Sequence, residues 1–285
     1  MTQEEIAVVT GSSTGIGFET SLTLARNGFH TYATMRILEG SRGSEQITDI
    51  AKRENLSLQV IRLDVDNDKS VSDAFSTIVK DKGRIDIVIN NAGYALAGPF
   101  EETSMEEMKA QFETNFFGAV RVMQATIPIM RKQRSGKIVN ITSMGGRIAV
   151  PLDSIYHGTK FALEGVSESL QYELEPFGIK IILIEPGAVG SNFWKNLKIA
   201  SKTPSPDNID LPYKEIVNNV SESFKQMQQN TIHPSEVANV ILQAVLSDNP
   251  DFRYVVGKDA TAIIEARKSM LDRDFQRFMK GQFNL

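Results

Sequence analysis

The sequence predicts one doubly wound α/β domain with a seven-stranded parallel sheet and helices on both faces. Short apolar runs rich in β-branched residues recur along the 285 residues, and a stretch of helical periodicity follows each of them. Several runs, such as 181–184, are apolar at consecutive positions, which is typical of strands covered on both faces. The longest stretch rich in Pro, Ser and Asn, 201–212, lies between helical patterns. We therefore interpret it as a mobile insertion and not as a domain boundary.

Strand and helix patterns alternate along most of the chain. The predicted strands cover residues 6–10, 30–35, 58–63, 85–90, 137–142, 180–185 and 253–256. The predicted helices cover residues 15–27, 43–54, 68–81, 104–132, 153–176 and 234–247. This alternation indicates βαβ units with right-handed crossovers, followed by a C-terminal helical extension over 258–285.

The composition excludes several classes of protein. With a net charge of −4, the chain has no electrostatic footprint for nucleic acid or for an anionic membrane. It contains no cysteine, which excludes disulfides and thiolate chemistry and fits a reducing cytoplasm. The histidines have no metal-ligand spacing, so no metal is predicted. Residues 1–5 are unlike a signal peptide, and no apolar run approaches the about 20 residues of a membrane span, so we expect a soluble, cytoplasmic protein.

The first predicted strand leads into a glycine-rich turn that opens directly into a helix. The turn carries Gly11, Gly15 and Gly17 in the pattern GxxxGxG. Glycines allow the sharp turn and let the backbone approach a pyrophosphate, while the helix N-terminus offers N–H groups and a positive dipole. A tight turn without a ligand is the alternative, but the strand before and the helix after favour dinucleotide binding. The candidate cofactor contacts in this turn are Gly11, Ser13, Thr14, Gly15, Ile16 and Gly17.

The end of the second strand bears on the choice between NAD and NADP. Folds that prefer NAD usually place an acidic side chain there for the ribose 2′-hydroxyl, whereas an arginine accommodates a 2′-phosphate. This strand ends in Arg36, and no acidic residue follows before Glu39. Arg36 therefore favours NADP(H), although binding of NAD(H) stays open and an ordinary solvated arginine is the alternative.

The third and fourth strands end at the same edge of the predicted sheet, where ligands of such folds bind. Asp64 and Val65 follow the third strand, and Asn91, Ala92 and Gly93 follow the fourth. Asp64 could accept a hydrogen bond from an adenine amino group, while Asn91 and Gly93 could border the adenosine ribose. Roles in turns or helix caps are the alternatives for Asp64 and Asn91.

Tyr156 and Lys160 lie four residues apart in the helix predicted over 153–176. Four residues make about one helical turn, so the phenol and the ammonium point the same way. A neighbouring positive charge favours the phenolate and would bring the tyrosine pKa down from about 10, towards the working pH of an acid–base group. The spacing by itself also arises by chance on many solvated helices.

Taken in order, these motifs resemble those of the short-chain dehydrogenase/reductase family, whose members have a Rossmann fold. The matching residues are 10–17, 90–93, Ser143, Tyr156 with Lys160, and Pro186 with Gly187. The match runs from about residue 5 to residue 257. Within the family, segments 32–36, 98–100 and 160–165 look like the 17β-hydroxysteroid and retinol dehydrogenase branch.

The resemblance implies a catalytic tetrad of Asn115, Ser143, Tyr156 and Lys160. Tyr156 would be the acid in carbonyl reduction and the base in alcohol oxidation. Lys160 would lower the pKa of Tyr156 and bind the nicotinamide ribose, and Ser143 would polarise the substrate oxygen. Asn115, a poor helix former within predicted helix 104–132, would hold a water that relays protons through Lys160; a solvated polar residue is the alternative.

The family likeness also assigns the turn after the sixth strand and the oligomeric state. Pro186, Gly187, Val189 and Ser191 belong to the turn that would carry the nicotinamide carboxamide, with a plain strand-to-loop turn as the alternative. Ser191 stands where the family more often has threonine. Homodimers or homotetramers would form through the helices predicted at 104–132 and 153–176.

Substrate recognition is expected from residues 191–230, where the family builds a lid. The apolar candidates are Phe193, Trp194, Leu197, Ile199, Tyr213, Ile216, Val217, Phe224 and Met227, with Tyr94, Leu96 and Ile148 as further wall candidates. Such side chains suit a lipophilic carbonyl or alcohol, although Leu197, Ile216 and Phe224 could equally pack between helices. His157 is interpreted as a packing or surface residue and not as a catalytic one.

The sequence thus predicts an NADP-dependent oxidoreductase acting on a carbonyl/alcohol pair. An NAD-dependent alcohol dehydrogenase of the same fold is one alternative, and a non-catalytic regulator that senses NADP(H) is another. A sensor would have no need for Ser143, Tyr156 and Lys160 together.

Overall fold

Seven strands form one parallel sheet in the computed structural model, which describes residues 4–202 and 212–285. The strands of this sheet are β1 (Ile6–Val9), β2 (His30–Met35), β3 (Leu58–Arg62), β4 (Ile87–Asn90), β6 (Gly136–Ile141), β7 (Ile179–Pro186) and β9 (Arg253–Val256). They are ordered β3-β2-β1-β4-β6-β7-β9. This order reverses direction between β1 and β4, which is the point where doubly wound folds bind ligands. The predicted fold class is confirmed, and the fourth strand begins two residues later than predicted.

Helices cover both faces of the sheet. They are α1 (Gly15–Arg26), α2 (Arg42–Arg53), α3 (Asp68–Lys82), α4 (Met105–Phe112), α5 (Gly118–Gln133), α6 (Ser154–Leu174), α7 (Lys214–Gln229), α8 (Pro234–Leu246), α9 (Lys258–Ser269) and α10 (Asp272–Gln282). Successive residues of each central strand point to opposite faces, so both faces must be apolar. Val8 packs in a cluster with Val122 of α5 and Leu163 of α6, while Val9 packs with Leu24 of α1 and Ile241 of α8. Two separate apolar layers therefore hold the helices on the sheet.

The helix predicted over 104–132 is present, but its hydrogen-bond pattern is not α-helical throughout. A π-helical segment, Glu113–Phe117, separates α4 from α5. Such a segment inserts one extra residue and rotates the helix that follows. Here it accompanies two close contacts: the Asn115 side chain turns to the backbone of Tyr94, and Gly118 lies so near Val65 that an added Cβ would be 2.8 Å from a Val65 methyl carbon. A local apolar pattern does not reveal such long-range contacts.

The lid region and the C-terminal helices pack together. Strand β5 (Leu96–Ala97) pairs in parallel with β8 (Lys198–Ile199), an interaction that the sequence did not suggest. Helices α9 and α10 contribute Ile264, Phe275 and Met279 to the buried core, and Phe283 directly follows α10. Phe275, Met279 and Phe283 share a cluster with Val220 of α7 and with Ile148. Residues 203–211, the greater part of the insertion predicted at 201–212, lie outside the described residues. Among the helices that are described, none has the length and apolar character required to span a membrane.

Candidate active site

A cavity of about 730 Å³ lies along the carboxyl ends of the sheet strands, and its volume is in the range of small-molecule sites. Most of the residues that the sequence singled out line this cavity. They are Gly11, Ser13, Thr14, Gly15, Ile16, Arg36, Asp64, Val65, Asn91, Ala92, Gly93, Ser143, Tyr156, Lys160, Pro186, Gly187, Val189 and Ser191. Gly17 and Asn115 lie behind the cavity wall instead. The structure therefore brings together segments that are up to 180 residues apart in the chain.

The glycine turn has the backbone that its sequence predicts. Gly11 and Gly15 have φ angles of +68° and +61°, which favour glycine. Gly17 supports the turn from behind, because an added Cβ would lie 2.5 Å from the Gly11 carbonyl oxygen. The side-chain amide of Asn91 donates to the carbonyl oxygens of Thr10 and Gly11 at 2.9 and 3.1 Å. The turn role left open for Asn91 is thus observed, and it fixes the position of the glycine turn.

The N-terminus of α1 faces the cavity without a side-chain cap. Thr14 is the N-cap residue, but its side chain makes no capping hydrogen bond, and the first turn of the helix carries no acidic residue. The N-termini of α2 and α3 are capped by the side chains of Ser41 and Asn67. The N–H groups and the dipole at the start of α1 are therefore suited to an anion such as a phosphate.

Arg36 and Asp64 mark the part of the cavity nearest to β2 and β3. Arg36 is exposed and directly follows β2, which contacts the glycine turn through a 2.9 Å hydrogen bond from the Ser12 N–H to the Thr34 carbonyl. Asp64 Oδ1 accepts a hydrogen bond of 3.2 Å from the Asp66 N–H. Asp64 therefore has the turn role that was its alternative, and it lines the cavity as well.

Ser143 and Tyr156 meet in the cavity from two different elements. Ser143 lies just after β6, where its Oγ accepts a 3.0 Å hydrogen bond from the Gly145 N–H. Tyr156 lies in the first turn of α6. Burial raises the pKa of the Tyr156 phenol to about 12, while hydrogen bonding to Ser143 acts in the opposite direction. The phenol is thus protonated at neutral pH in this structure.

Lys160 is buried below Tyr156. Its Nζ donates a 2.8 Å hydrogen bond to the Ile141 carbonyl and lies 5.6 Å from the centroid of the Tyr156 ring. Burial lowers the pKa of Lys160 to about 8, and the nearby Glu164 carboxylate opposes that shift. The family resemblance implies that Lys160 lowers the pKa of Tyr156. The net shift of the phenol is upward, because withdrawal from water favours the neutral form of both groups.

Asn115 acts on the site through its neighbours. Its Oδ1 accepts a hydrogen bond from the Tyr94 N–H at 3.0 Å, and its Nδ2 donates to the Tyr94 carbonyl at 2.8 Å and to Thr159 Oγ1 at 3.2 Å. Asn115 is only 2% exposed, so the alternative of a solvated residue is wrong. These bonds link the loop after β4 to the residue that precedes Lys160.

His157 has a structural role, in agreement with its interpretation as a packing residue. It is buried, and its Nε2 accepts a 3.0 Å hydrogen bond from the Val150 N–H. Its Nδ1 lies 2.8 Å from the Gly145 carbonyl and therefore carries the proton. Burial lowers the pKa of His157, so the neutral ring is favoured. The ring thus fixes the loop that follows Ser143.

Asp153 is a cavity residue that the sequence analysis missed. It occupies the N-cap position of α6, but its side chain makes no capping bond. Its Oδ1 is buried and accepts no hydrogen bond from the described part of the chain. Burial raises the pKa of Asp153 to about 7. An aspartate at a helix start is usually a cap, so the sequence carried no signal for this different environment.

Asp153→Asn is expected to stabilise the protein at neutral and higher pH. The folded state retains a proton on Asp153 up to about pH 7, whereas the unfolded chain releases it near the ordinary pKa of 3.8. The stability that depends on the protonated carboxyl is therefore complete below about pH 4 and is lost as the pH rises through about 7. Asparagine does not titrate, so the gain in the free energy of unfolding should grow from near zero at about pH 4 to on the order of 1–3 kcal/mol at about pH 8. Urea titrations of wild type and Asp153→Asn between about pH 4 and pH 8 measure this difference in the free energy of unfolding. A difference that does not depend on pH would contradict the burial of the Asp153 carboxyl.

Half of the predicted lid residues line the cavity. Phe193, Trp194, Leu197, Phe224 and Met227 do so, together with the wall candidates Tyr94 and Ile148. Ile199, Tyr213, Ile216, Val217 and Leu96 do not line it. Ile199 and Leu96 belong to the short β5–β8 pair, and Ile216 packs against the C-terminal helices. The helix-packing alternative is therefore correct for Ile216, whereas Leu197 lines the cavity and Phe224 both lines the cavity and packs against Phe283.

An aromatic series connects Tyr156 to the end of the chain. Ring centroids lie 5.8 Å apart for Tyr156 and Phe193, and 6.1 Å apart for both Phe193 with Trp194 and Trp194 with Phe224. Phe224 is in turn 6.4 Å from Phe283. All four pairs have steeply inclined rings, an arrangement that aromatic quadrupoles favour. The wall beside Tyr156 is therefore apolar and continuous with the C-terminal helices.

Asp259 of α9 supports the turn after β7, which the sequence analysis also missed. Its Oδ2 accepts a 2.7 Å hydrogen bond from the Ala188 N–H. An added Cβ at Gly187 would lie 2.3 Å from the carboxylate oxygens, so the contact requires glycine there. The turn after β7 also lies next to the glycine turn, because an added Cβ at Gly15 would be 3.1 Å from Ser191 Cβ. Within the described ranges, no group of three His, Asp or Glu side chains could hold a metal ion.

Comparison with known proteins gives consistent matches. The family model described as short chain dehydrogenase matches residues 5–202. The chain is 34% identical over 276 residues to 3-ketodihydrosphingosine reductase of Bacteroides thetaiotaomicron, a match that covers 97% of this chain and 96% of that protein. It is 37% identical over 256 residues to human retinol dehydrogenase 8, covering 86% and 79% of the two chains. A solved short-chain dehydrogenase of Streptomyces avermitilis superposes with a TM-score of 0.81 at 28% identity, covering 97% of each chain.

Proposed function

Because the chain belongs to the short chain dehydrogenase family, we propose that it is an NADP(H)-dependent oxidoreductase that interconverts a carbonyl and a secondary alcohol. The observation that carries the proposal is that the Tyr156 phenol shares one cavity with the glycine turn, Ser143 and Lys160. An anion site at one end and acid–base groups at the other suit hydride transfer, in which the protein supplies orientation and proton management. The names of two relatives support this reaction class, since they specify a reductase of 3-ketodihydrosphingosine and a dehydrogenase of retinol.

The residues of the cavity fit a nicotinamide dinucleotide. The uncapped start of α1 and the glycine turn would hold the pyrophosphate, and Asp64, Val65 and residues 91–93 would border the adenosine. Lys160 and the turn from Pro186 to Ser191 would hold the nicotinamide half. When bound, the reduced nicotinamide supplies a hydride, and the oxidised form accepts one.

Tyr156 would manage the proton of the reaction. In reduction, the phenol gives its proton to the oxygen of the carbonyl as that oxygen becomes a hydroxyl; in oxidation, the phenolate takes it back. The Ser143 hydroxyl donates a hydrogen bond to the same oxygen and stabilises its developing charge. Lys160 offers its positive charge to the phenolate, and Asn115, by fixing Tyr94 and Thr159, is placed to support a water-mediated proton route through Lys160.

The substrate is proposed to be lipophilic, and 191–230 is proposed as its lid. Phe193, Trp194 and Phe224 supply large apolar surfaces beside Tyr156. Burying such surface against an alkyl chain is favourable by about 0.8 kcal/mol per methylene. We further propose that the whole of 1–285 acts as one domain with 258–285 as its C-terminal extension. Copies of it would pair through the helices at 104–132 (α4 and α5) and 153–176 (α6), a state that sedimentation giving only monomer would contradict.

A substrate panel tests the proposed function. Straight-chain ketones with NADPH and the matching secondary alcohols with NADP+ should be turned over. The kcat/KM should rise about three- to fourfold with each added methylene until the apolar wall is filled. The change in nicotinamide absorbance measures the turnover of each compound. Binding of the cofactor without turnover of any ketone, aldehyde or alcohol would instead indicate a sensor, and a flat dependence on chain length would contradict a lipophilic substrate.

A further inference from the structure

Asp153 is placed to contact the substrate close to the reacting carbon. It lies three residues before Tyr156, which corresponds to about 4.5 Å along the axis of α6. Both side chains line the cavity, and the charge of Asp153 acts on the Tyr156 phenol, whose pKa it raises. Val150, another lining residue nearby in the chain, packs with Phe224 of α7. Asp153 thus belongs to the lid side of the cavity and not to the glycine turn.

The Asp153 carboxylate has no cation to compensate its charge within residues 4–202 and 212–285. No ion pair in this part of the chain includes it, and its Oδ1 is buried without a hydrogen-bond donor. Two other buried acidic residues near the site, Glu164 and Glu185, differ in this respect because both pair with Arg253. A buried carboxylate is costly unless a positive group or hydrogen-bond donors satisfy it. The missing partner is therefore expected from a ligand.

The described cations that line the cavity do not pair with Asp153. Lys160 Nζ is held by the Ile141 carbonyl, and Lys198 Nζ lies 4.2 Å from the centroid of the Tyr94 ring at the exposed rim. Arg36 lies at the β2 end of the cavity. Tyr156 and Phe193, whose rings are in contact, line the same cavity as Asp153, and ring faces attract a cation as well as apolar carbon. An anion beside aromatic rings is a site suited to an organic ammonium group.

We propose that Asp153 binds a protonated amine on the carbon next to the reacting one, so that the substrates are lipophilic amino ketones and the matching amino alcohols. In the oxidation direction, the carbinol carbon loses its hydride to the oxidised nicotinamide, and the hydroxyl loses its proton to Tyr156. The ammonium group is unchanged and remains paired with Asp153. The inference rests on the proposed function, because it names the substrate class of that same site.

Three alcohols with the same carbon chain test the proposal with NADP+. They are 2-aminooctan-3-ol, octane-2,3-diol and octan-3-ol, which carry an ammonium, a neutral donor and no donor at the second carbon. The kcat/KM of the wild type should be about 10- to 100-fold higher for the amino alcohol than for octan-3-ol, as expected for a hydrogen bond to a charged group, with the diol between them. In Asp153→Asn the ratio of kcat/KM for the amino alcohol to that for octan-3-ol should fall to within about threefold.

Glu102→Gln is the matched control. Glu102 also has a buried carboxylate oxygen without a hydrogen-bond donor in the described chain, but it does not line the cavity. Its variant should keep the full preference for the amino alcohol. A wild type that does not distinguish the three alcohols, or that prefers the diol, would overturn the proposal. So would an Asp153→Asn variant with an unchanged preference.

A binding measurement separates this proposal from the proposed function. Calorimetric titration of wild type and Asp153→Asn with 2-aminooctan-3-ol and with octan-3-ol requires no turnover. Tighter binding of the amine that depends on Asp153 would support the amine site even if no alcohol were oxidised, in which case the proposed oxidoreductase function would fail alone. Equal binding of both compounds would overturn the amine site, whatever the activity.

Discussion

Tyr156→Phe should lower kcat by about 100- to 10,000-fold, the usual contribution of a positioned acid–base group. The substitution removes only the phenolic oxygen, and the ring can keep its contact with Phe193. Dissociation constants for NADPH should therefore stay close to those of the wild type, because the glycine turn and the start of α1 are untouched. Single-turnover reduction of a ketone and fluorescence titration with NADPH measure the two effects separately.

Tyr254→Phe is the control for this substitution. Tyr254 lies in β9, and its hydroxyl accepts a 3.0 Å hydrogen bond from the exposed Asp251 N–H outside the cavity. Its variant should retain activity. A Tyr156→Phe protein as active as the wild type would refute the acid–base role of Tyr156, and a large loss of NADPH binding would show that the variant is not a clean test of proton transfer.

Arg36→Glu should change the ratio of NADPH to NADH affinity by at least about 100-fold. The guanidinium is exposed at the end of β2, where it can pair with a 2′-phosphate. Glutamate removes that charge-assisted contact and repels the phosphate, but it can accept a hydrogen bond from the 2′-hydroxyl of NADH. Titration of both reduced cofactors against both proteins measures the change without reference to any substrate.

Arg53→Glu makes the same change of charge at the far end of α2, where the side chain is exposed and pairs with Glu54. It should leave the ratio of affinities unaltered. Wild-type protein that binds NADH as tightly as NADPH would contradict the interpretation of Arg36. So would an Arg36→Glu protein with an unchanged ratio.

Most of the fold could be predicted because its signals are local. Each strand of the sheet is a short apolar run, and the glycine turn needs a backbone that few residues other than glycine adopt. The π-helical segment Glu113–Phe117 could not be predicted, since it accompanies contacts of Asn115 and Gly118 with residues about 20 and 50 positions earlier in the chain. The β5–β8 pair escaped prediction for a similar reason, because strands of two residues have no periodicity.

Some residues of the candidate site could be predicted from local sequence signals, and others could not. Tyr156, Lys160 and the glycine turn could be recognised by their spacing, whereas Asp153 and Asp259 could not. Asp259 contacts Ala188 across 71 residues of sequence. Asp153 is distinguished by having no hydrogen-bond donor for its Oδ1 among the residues that the structure describes, and no pattern of residue types indicates this. The direction of the Tyr156 pKa shift was also wrong, because burial depends on the lid and on the C-terminal helices, whose packing the sequence left open.

The C-terminal segment 258–285 supports two parts of the cavity, the turn after β7 and the aromatic wall beside Tyr156. Asp259 fixes the turn at Gly187, and Phe283 backs the aromatic wall through Phe224. Detachment of this one segment would loosen the turn proposed to carry the nicotinamide and, at the same time, open the wall proposed to hold the substrate. Residues 5–202, which match the family model, therefore do not include the contacts of Asp259 and Phe283 with the cavity wall.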